Sequence, residues 1–139
     1  MILIDTNVVS ESMRVTPNRM VMDWLKANET EIALCAIVLG ELAFGIERLP
    51  RNQQSKRVAN GLAAWQERFA GQILAFDETA AVAYGKMVGA ASLEGHPMSV
   101  PDGMIAAIAS CHGGKVATRN VKDFATTGLK IINPWDFTA

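Results

Sequence analysis

Cross-linking chemistry is nearly absent from this chain. Among 139 residues there are two cysteines, Cys35 and Cys111, set in apolar or small-residue stretches and without metal-ligand spacing. They read as buried, reduced thiols, which suits a cytoplasmic protein. Long apolar runs are missing too: nothing stays apolar for the roughly 18 residues a membrane span needs. The opening Met1-Ile2-Leu3-Ile4-Asp5 has no basic leader and no cleavage site, so it reads as a strand and not as a signal peptide. Nor does one sign of charge dominate. Thirteen Lys and Arg against fourteen Asp and Glu leave a formal net charge of −1, which excludes avid nonspecific binding to long duplexes. An enzyme that touches nucleic acid through one local patch and metal ions remains compatible with that balance. No internal repeat, low-complexity tract or linker divides the chain. No Gly-rich turn follows the first apolar run, which removes a dinucleotide-binding reading, and no P-loop occurs.

What is present is core-forming material. Half of the residues are hydrophobic and 19% are charged, and a chain of this length buries about two-thirds of its unfolded surface without help from a disulfide or structural metal. One domain over residues 1–139 is expected.

Apolar periodicity predicts alternating elements. Residues 2–4 form a short strand ending at Asp5-Thr6-Asn7. Thr16-Pro17 opens a helix carrying Val21, Trp24, Leu25 and Ala27. A second strand over 31–35 runs into a helix from Ala36 to Leu49, closed by Pro50. Val58, Leu62, Trp65 and Phe69 mark an amphipathic helix within 52–70. A third strand over 73–76 precedes a helix capped by Asp77 or Thr79 and reaching Leu93. Pro101 opens a further helix through Cys111, Lys115–Thr118 is a fourth strand, and Leu129–Ile132 a fifth. Short apolar strands separated by helices predict an α/β protein: a three-layer α/β/α sandwich around a mostly parallel, five-stranded sheet.

The carboxylates follow this order closely. In an open parallel sheet, ligands gather outside the C-terminal ends of the strands. Asp5 ends the first strand, and Glu41 lies early in the helix after the second. Asp102 sits in the first turn of the helix opened by Pro101, while Asn120 and Asp123 follow the fourth strand. Taken singly, an Asp after a strand is a turn or cap residue, and Asp102 suits a helix N-terminus. Glu41 is different, because Ile37–Phe44 is otherwise apolar and an acid there is costly without a partner. Together these acids would repel one another without a bound cation, and hard oxygen ligands suit Mg²⁺ or Mn²⁺.

At this point Leu3–Glu11, Gly40–Gly45, Pro101–Ala107 and Ala117–Asn120 with Asp123-Phe124 resemble, in order, the four acidic motifs of PIN domains. The closing Ile132-Asn133-Pro134-Trp135 is similar to the FitB-like, plasmid-stability branch of the VapC-type toxins. The resemblance implies a PIN-like fold and a Mg²⁺- or Mn²⁺-dependent endoribonuclease toxin of a toxin–antitoxin pair. Carried over by position, it places metal ligands at Asp5, Glu41 and Asp102, with Asn7 and Thr118 hydrogen-bonding the carboxylates. The chain departs from many relatives directly after Thr-Arg, where it has Asn120 in place of an acid. Either Asp123 supplies that charge or Asn120 orients a water or a metal ligand. Arg119 beside these residues is a candidate RNA contact, which a solvated arginine explains equally well, and the basic run Arg48, Arg51, Lys56 and Arg57 is a weaker one, since solvated helix ends explain most such runs. His96 and His112 lack ligand spacing.

The implied partners are RNA and a cognate VapB/FitA-like antitoxin that binds DNA. Trp24, Leu25, Phe44 and Leu49 are candidates for antitoxin contact, and each also suits the core. Self-association into a homodimer or a higher toxin–antitoxin assembly is implied as well, with Ala81, Gly85 and Gly89 able to admit another helix closely. Two rivals stand beside this reading. A haloacid-dehalogenase-like phosphatase would need a second Asp where the chain has Asn7. A noncatalytic PIN-fold binding module would have no use for a repulsive acidic cluster.

Overall fold

A computed structural model of the protein describes residues 1–138. The chain order is β1 (Ile2–Ile4), α1 (Thr6–Ser12), α2 (Arg19–Ala27), β2 (Ile32–Ala33), α3 (Ala36–Glu47), α4 (Gln53–Arg68), α5 (Glu78–Leu93), α6 (Val100–Cys111), β3 (Lys115–Ala117) and β4 (Ile131–Ile132). Short 3-10 turns follow β3 at Val121–Phe124 and β4 at Pro134–Asp136. The strands are ordered β2-β1-β3-β4 and every pairing is parallel. Side chains on successive strand residues point to opposite faces, yet Ile2, Leu3 and Ile4 are all buried. Both faces of the sheet are therefore covered, as an α/β/α arrangement requires.

The sheet has four strands and not the expected five. Residues 73–76 make only an isolated parallel bridge, Cys35 to Leu74, held by Leu74 N–H to Leu34 O and Ala36 N–H to Leu74 O, each 2.9 Å. This segment lies beyond β2 at the edge, is only partly buried, and turns at once into the Asp77 cap of α5.

Two helix starts also differ from expectation. Asp5 does more than end β1, because its side chain accepts from Thr6 N–H and caps α1, whose Val8 and Val9 are fully buried. The next helix begins at Arg19 and not at Pro17, since the Asn18 side chain accepts from Val21 N–H. Thr16 and Pro17 stay outside it, and the buried Glu11 carboxylate takes the Asn18 N–H at 2.9 Å. Cys35 is buried as expected, but Cys111 is exposed at the last turn of α6.

Packing separates core from surface candidates. Trp24 and Leu25 belong to the core, whereas Phe44 is 64% exposed and Leu49 partly buried. Gly85 and Gly89 face open space, so no contact within the chain requires them to be small. Gly103 is required: a Cβ there would lie 2.6 Å from Val88 Cγ2 and 2.8 Å from Tyr84 Cε2, where α5 crosses α6. No helix among the described residues is long and apolar enough to cross a membrane.

Candidate active site

Because the strands are parallel, the chain leaves all of them at one end of the sheet, and the polar residues gather there. Asp5 leaves β1 and is only 4% exposed. Its Oδ1 accepts from Thr6 N–H at 2.7 Å, and its Oδ2 accepts from the Thr118 hydroxyl at 2.7 Å and from Asn7 Nδ2 at 3.2 Å. Thr118 follows β3 directly, so the β1–β3 register, with Ile4 opposite Ala117, puts Asp5 and Thr118 side by side. The Thr118 Oγ1 also accepts from Asn120 N–H at 3.0 Å and from Asn7 Nδ2 at 3.2 Å, while Asn7 Oδ1 accepts from Arg119 N–H at 3.2 Å. Asn7 and Thr118 thus both donate to the Asp5 carboxylate. No second acid faces Asp5 from position 7.

Glu41 reaches the same end from α3. Thr6 Oγ1 donates to Glu41 Oε1 at 2.6 Å, so the partner its apolar surroundings demand is a hydroxyl one residue after Asp5. Thr6 escaped the sequence reading. The signal was its place beside Asp5, but nothing local shows a bond to a residue 35 positions on. Asp102 sits in the first turn of α6, and its N–H donates to the Ser99 cap at 3.3 Å.

Electrostatics connect the acids that no direct bond joins. Burial raises the Asp5 carboxyl above its ordinary value, bonds from Thr118, Thr6 and Asn7 oppose that, and the Glu41 charge adds to it. Burial likewise raises Asp102; Ser99 opposes, and the charges of Asp5 and Asp123 push further up. Burial pushes the Cys35 thiol up to about 11, with Asp5 and Glu41 contributing. Asp5, Glu41, Asp102 and Asp123 therefore share one electrostatic neighbourhood. Asn120 contributes its backbone N–H, while Asp123, exposed in the following 3-10 turn, adds its charge.

Among the described residues no three His, Cys, Asp or Glu side chains converge closely enough to hold an ion by themselves. A carboxylate offers about four acceptor directions, and Asp5 uses three in the bonds above. One remains, on a carboxylate whose ionised form burial disfavours. Mg²⁺ ordinarily takes one or two carboxylates and keeps several waters, so this donor set fits a hydrated hard cation.

Of the other basic candidates, Arg51 and Arg57 have polar partners and Arg48 an aromatic one. Arg51 pairs with Glu47 at 2.9 Å, Arg57 Nε donates to Met13 O at 3.2 Å, and Arg48 lies 5.5 Å from the Phe44 ring centre. His96 lies in an exposed loop and His112 at the end of α6.

Comparison with known proteins agrees with this architecture. The PIN-domain family matches residues 2–128. The chain is 38% identical over 138 residues to VapC ribonuclease Y4jK of Sinorhizobium fredii, covering 98% of this chain and 99% of that one. It is 37% identical over 140 residues to Toxin FitB of Neisseria gonorrhoeae, covering 97% and 99%. The crystal structure of FitAcB from Neisseria gonorrhoeae superposes with a TM-score of 0.90 at 36% identity, over 99% of this chain and 100% of that one. With its parallel sheet, its six α-helices and this near-complete match, the chain belongs to the PIN-domain family.

Proposed function

We propose that this protein is a Mg²⁺- or Mn²⁺-dependent endoribonuclease and the toxin of a toxin–antitoxin pair. The observation that carries the proposal is the buried Asp5, held by three neutral donors, with no cationic partner among the described residues, and sharing its field with Glu41 and Asp102. The names of the similar ribonuclease and toxin support the same reading.

Asp5, Glu41 and Asp102 would hold the ion, with Asp123 completing the negative field and Asn120 lending its N–H to the Thr118 hydroxyl. When bound, such an ion lowers the pKa of its water and polarises the phosphoryl group. The chain's own part is to keep these carboxylates oriented. Thr118, Asn7 and Thr6 N–H aim Asp5, Thr6 Oγ1 aims Glu41, and Ser99 caps the turn bearing Asp102. A carboxylate of this group accepts the proton of the attacking water. Attack is in line and bypasses the RNA 2′-hydroxyl, so the products carry 3′-hydroxyl and 5′-phosphate ends. The substrate is single-stranded or loop RNA, whose backbone and bases are accessible. The partner is a DNA-binding antitoxin of the VapB/FitA kind that holds the protein inactive, in a homodimeric or larger assembly. The site of action is the cytoplasm.

The test is cleavage of a mixed structured-RNA panel with Mg²⁺ or Mn²⁺, with EDTA as control and product ends mapped. Metal-dependent cutting to 5′-phosphate ends is expected; 2′,3′-cyclic phosphate ends would refute the mechanism. A noncatalytic PIN-fold module is the second reading, favoured by the lack of three convergent ligands among the described residues. Metal-independent RNA binding with no cutting of any panel RNA would favour it.

A further inference from the structure

Arg119 is the cation nearest in sequence to the Thr118 hub, and like Arg48 and Arg68 it lies over an aromatic ring. Among the described residues no carboxylate lies within 4.0 Å of it, whereas Arg14 and Arg51 are paired with Glu11 and Glu47. Its guanidinium rests instead 5.1 Å from the centre of the Trp135 ring. An aromatic face attracts a cation through its quadrupole without cancelling the charge. The arginine is thereby oriented while its charge stays uncompensated.

Sheet register brings the pair together. Ala117 lies opposite Ile132 in the β3–β4 pairing, so the residues leaving both strands emerge side by side at the same end as Asp5. Beyond β4, Asn133 Oδ1 accepts from Trp135 N–H at 3.0 Å, Pro134 is buried, and Trp135 packs half-buried against the core. At the other end of the contact, Arg119 N–H is tied to Asn7 Oδ1, and Asn7 in turn bonds Asp5. The backbone of Arg119 is anchored to the acidic network, and its head is anchored to the indole.

We propose that Trp135 is a positioning residue: its indole face holds the Arg119 guanidinium at the rim of the Asp5–Thr118 network, where that cation contacts an RNA backbone phosphate flanking the bond to be cut. The planar five-donor fork suits a phosphate, and a fixed fork loses less entropy on binding than a free one. This rests on the ribonuclease reading above and adds to it a specific anion contact and the residue that aims it.

The test uses the intact protein, a short fluorescein-labelled single-stranded RNA of mixed sequence in EDTA for binding, and the RNA panel with Mg²⁺ for turnover. Arg119→Ala is expected to weaken RNA binding about tenfold and to flatten the dependence of log Kd on log salt by about 0.7. Trp135→Leu fills the space without offering a π face, and is expected to raise Kd and KM about three- to fivefold with kcat nearly unchanged. Trp135→Phe keeps the face and should restore most of the affinity. In an Arg119→Ala background, Trp135→Leu should add nothing further. Equal losses from Trp135→Leu with and without Arg119, or a loss confined to kcat, would overturn the proposal and leave Trp135 a packing residue. A wild type that cuts RNA while Trp135→Leu matches it in Kd and KM overturns this proposal alone. A wild type that neither binds nor cuts overturns the ribonuclease reading together with it.

Discussion

Asp5 and Glu11 are buried acids six positions apart, one capping α1 and the other in its last turn, and they are treated in opposite ways. Glu11, 6% exposed, accepts from Asn18 N–H at 2.9 Å and pairs with Arg14 at 3.2 Å. Its charge is met by a charge, and the bond to Asn18 fixes the turn into α2. Asp5, 4% exposed, is met by a hydroxyl, an amide and a backbone N–H, all neutral, while Glu41 pushes against it. A buried carboxylate with a cationic partner holds structure together. One with only neutral donors and like charges nearby is costly to the fold and is kept for what it can bind. Burial alone does not separate the two kinds of acid; the partner set does.

The largest predicted effect breaks the comparison at Asp5. Asp5→Asn is expected to lower RNA cleavage by more than about 100-fold while the melting temperature stays close to that of the wild type, since Asn also caps α1. Thr118→Val removes the hydroxyl that aims Asp5 and should cost about 10–100-fold in metal affinity or rate, read by Mn²⁺ titration and turnover. Glu11→Gln should do the reverse, costing about 2 kcal/mol of stability in urea melts through the weakened bond to Asn18, with kcat on the surviving folded protein unchanged. Gly103→Ala adds a Cβ 2.6 Å from Val88 Cγ2 and should cost about 1–3 kcal/mol as α5 and α6 part. Because Asp102 is the neighbour of Gly103, a measurable rise in KM for Mn²⁺ is expected with it.

The smallest effect concerns pH. Asp5 and Asp102 are both held above the ordinary carboxylate range, so cleavage should fall on acidification at a pH above that range, and added Mn²⁺ should move the inflection down. The stability sign is the opposite of the usual paired acid. A raised folded-state pKa contributes stability that is present below the unfolded pKa and lost as pH rises through the folded one. In EDTA, wild type should therefore lose melting temperature relative to Asp102→Asn as pH rises through that window.

Much of this is legible in the sequence alone. Strand–helix alternation predicted the parallel sheet, and the acids at strand ends predicted where the polar cluster would form, because parallel strands deliver their C-terminal ends to one side. The loss of the expected third strand was not legible, since the apolar run at 73–76 looks the same whether it builds a ladder or a single bridge at an edge. The seven residues of α1 hid behind Asp5, which serves as both strand end and cap. Glu41 stood out as an acid in apolar company, but its bond to Thr6 is a tertiary fact. Nor does the sequence reveal that Asn120 N–H bonds Thr118 or that the charge of Asp123 is felt at Asp102. Arg119 was visible as a cation beside the site; that a tryptophan sixteen residues on orients it depends on the β3–β4 register.

The most direct test places Asp5→Asn beside Glu11→Gln, assayed on the same RNA panel with Mg²⁺ at a temperature where both are folded. The expected result is loss of cleavage in the first and full cleavage in the second. Full cleavage in both, or equal loss in both, would contradict the account, because the two buried acids would then play the same part.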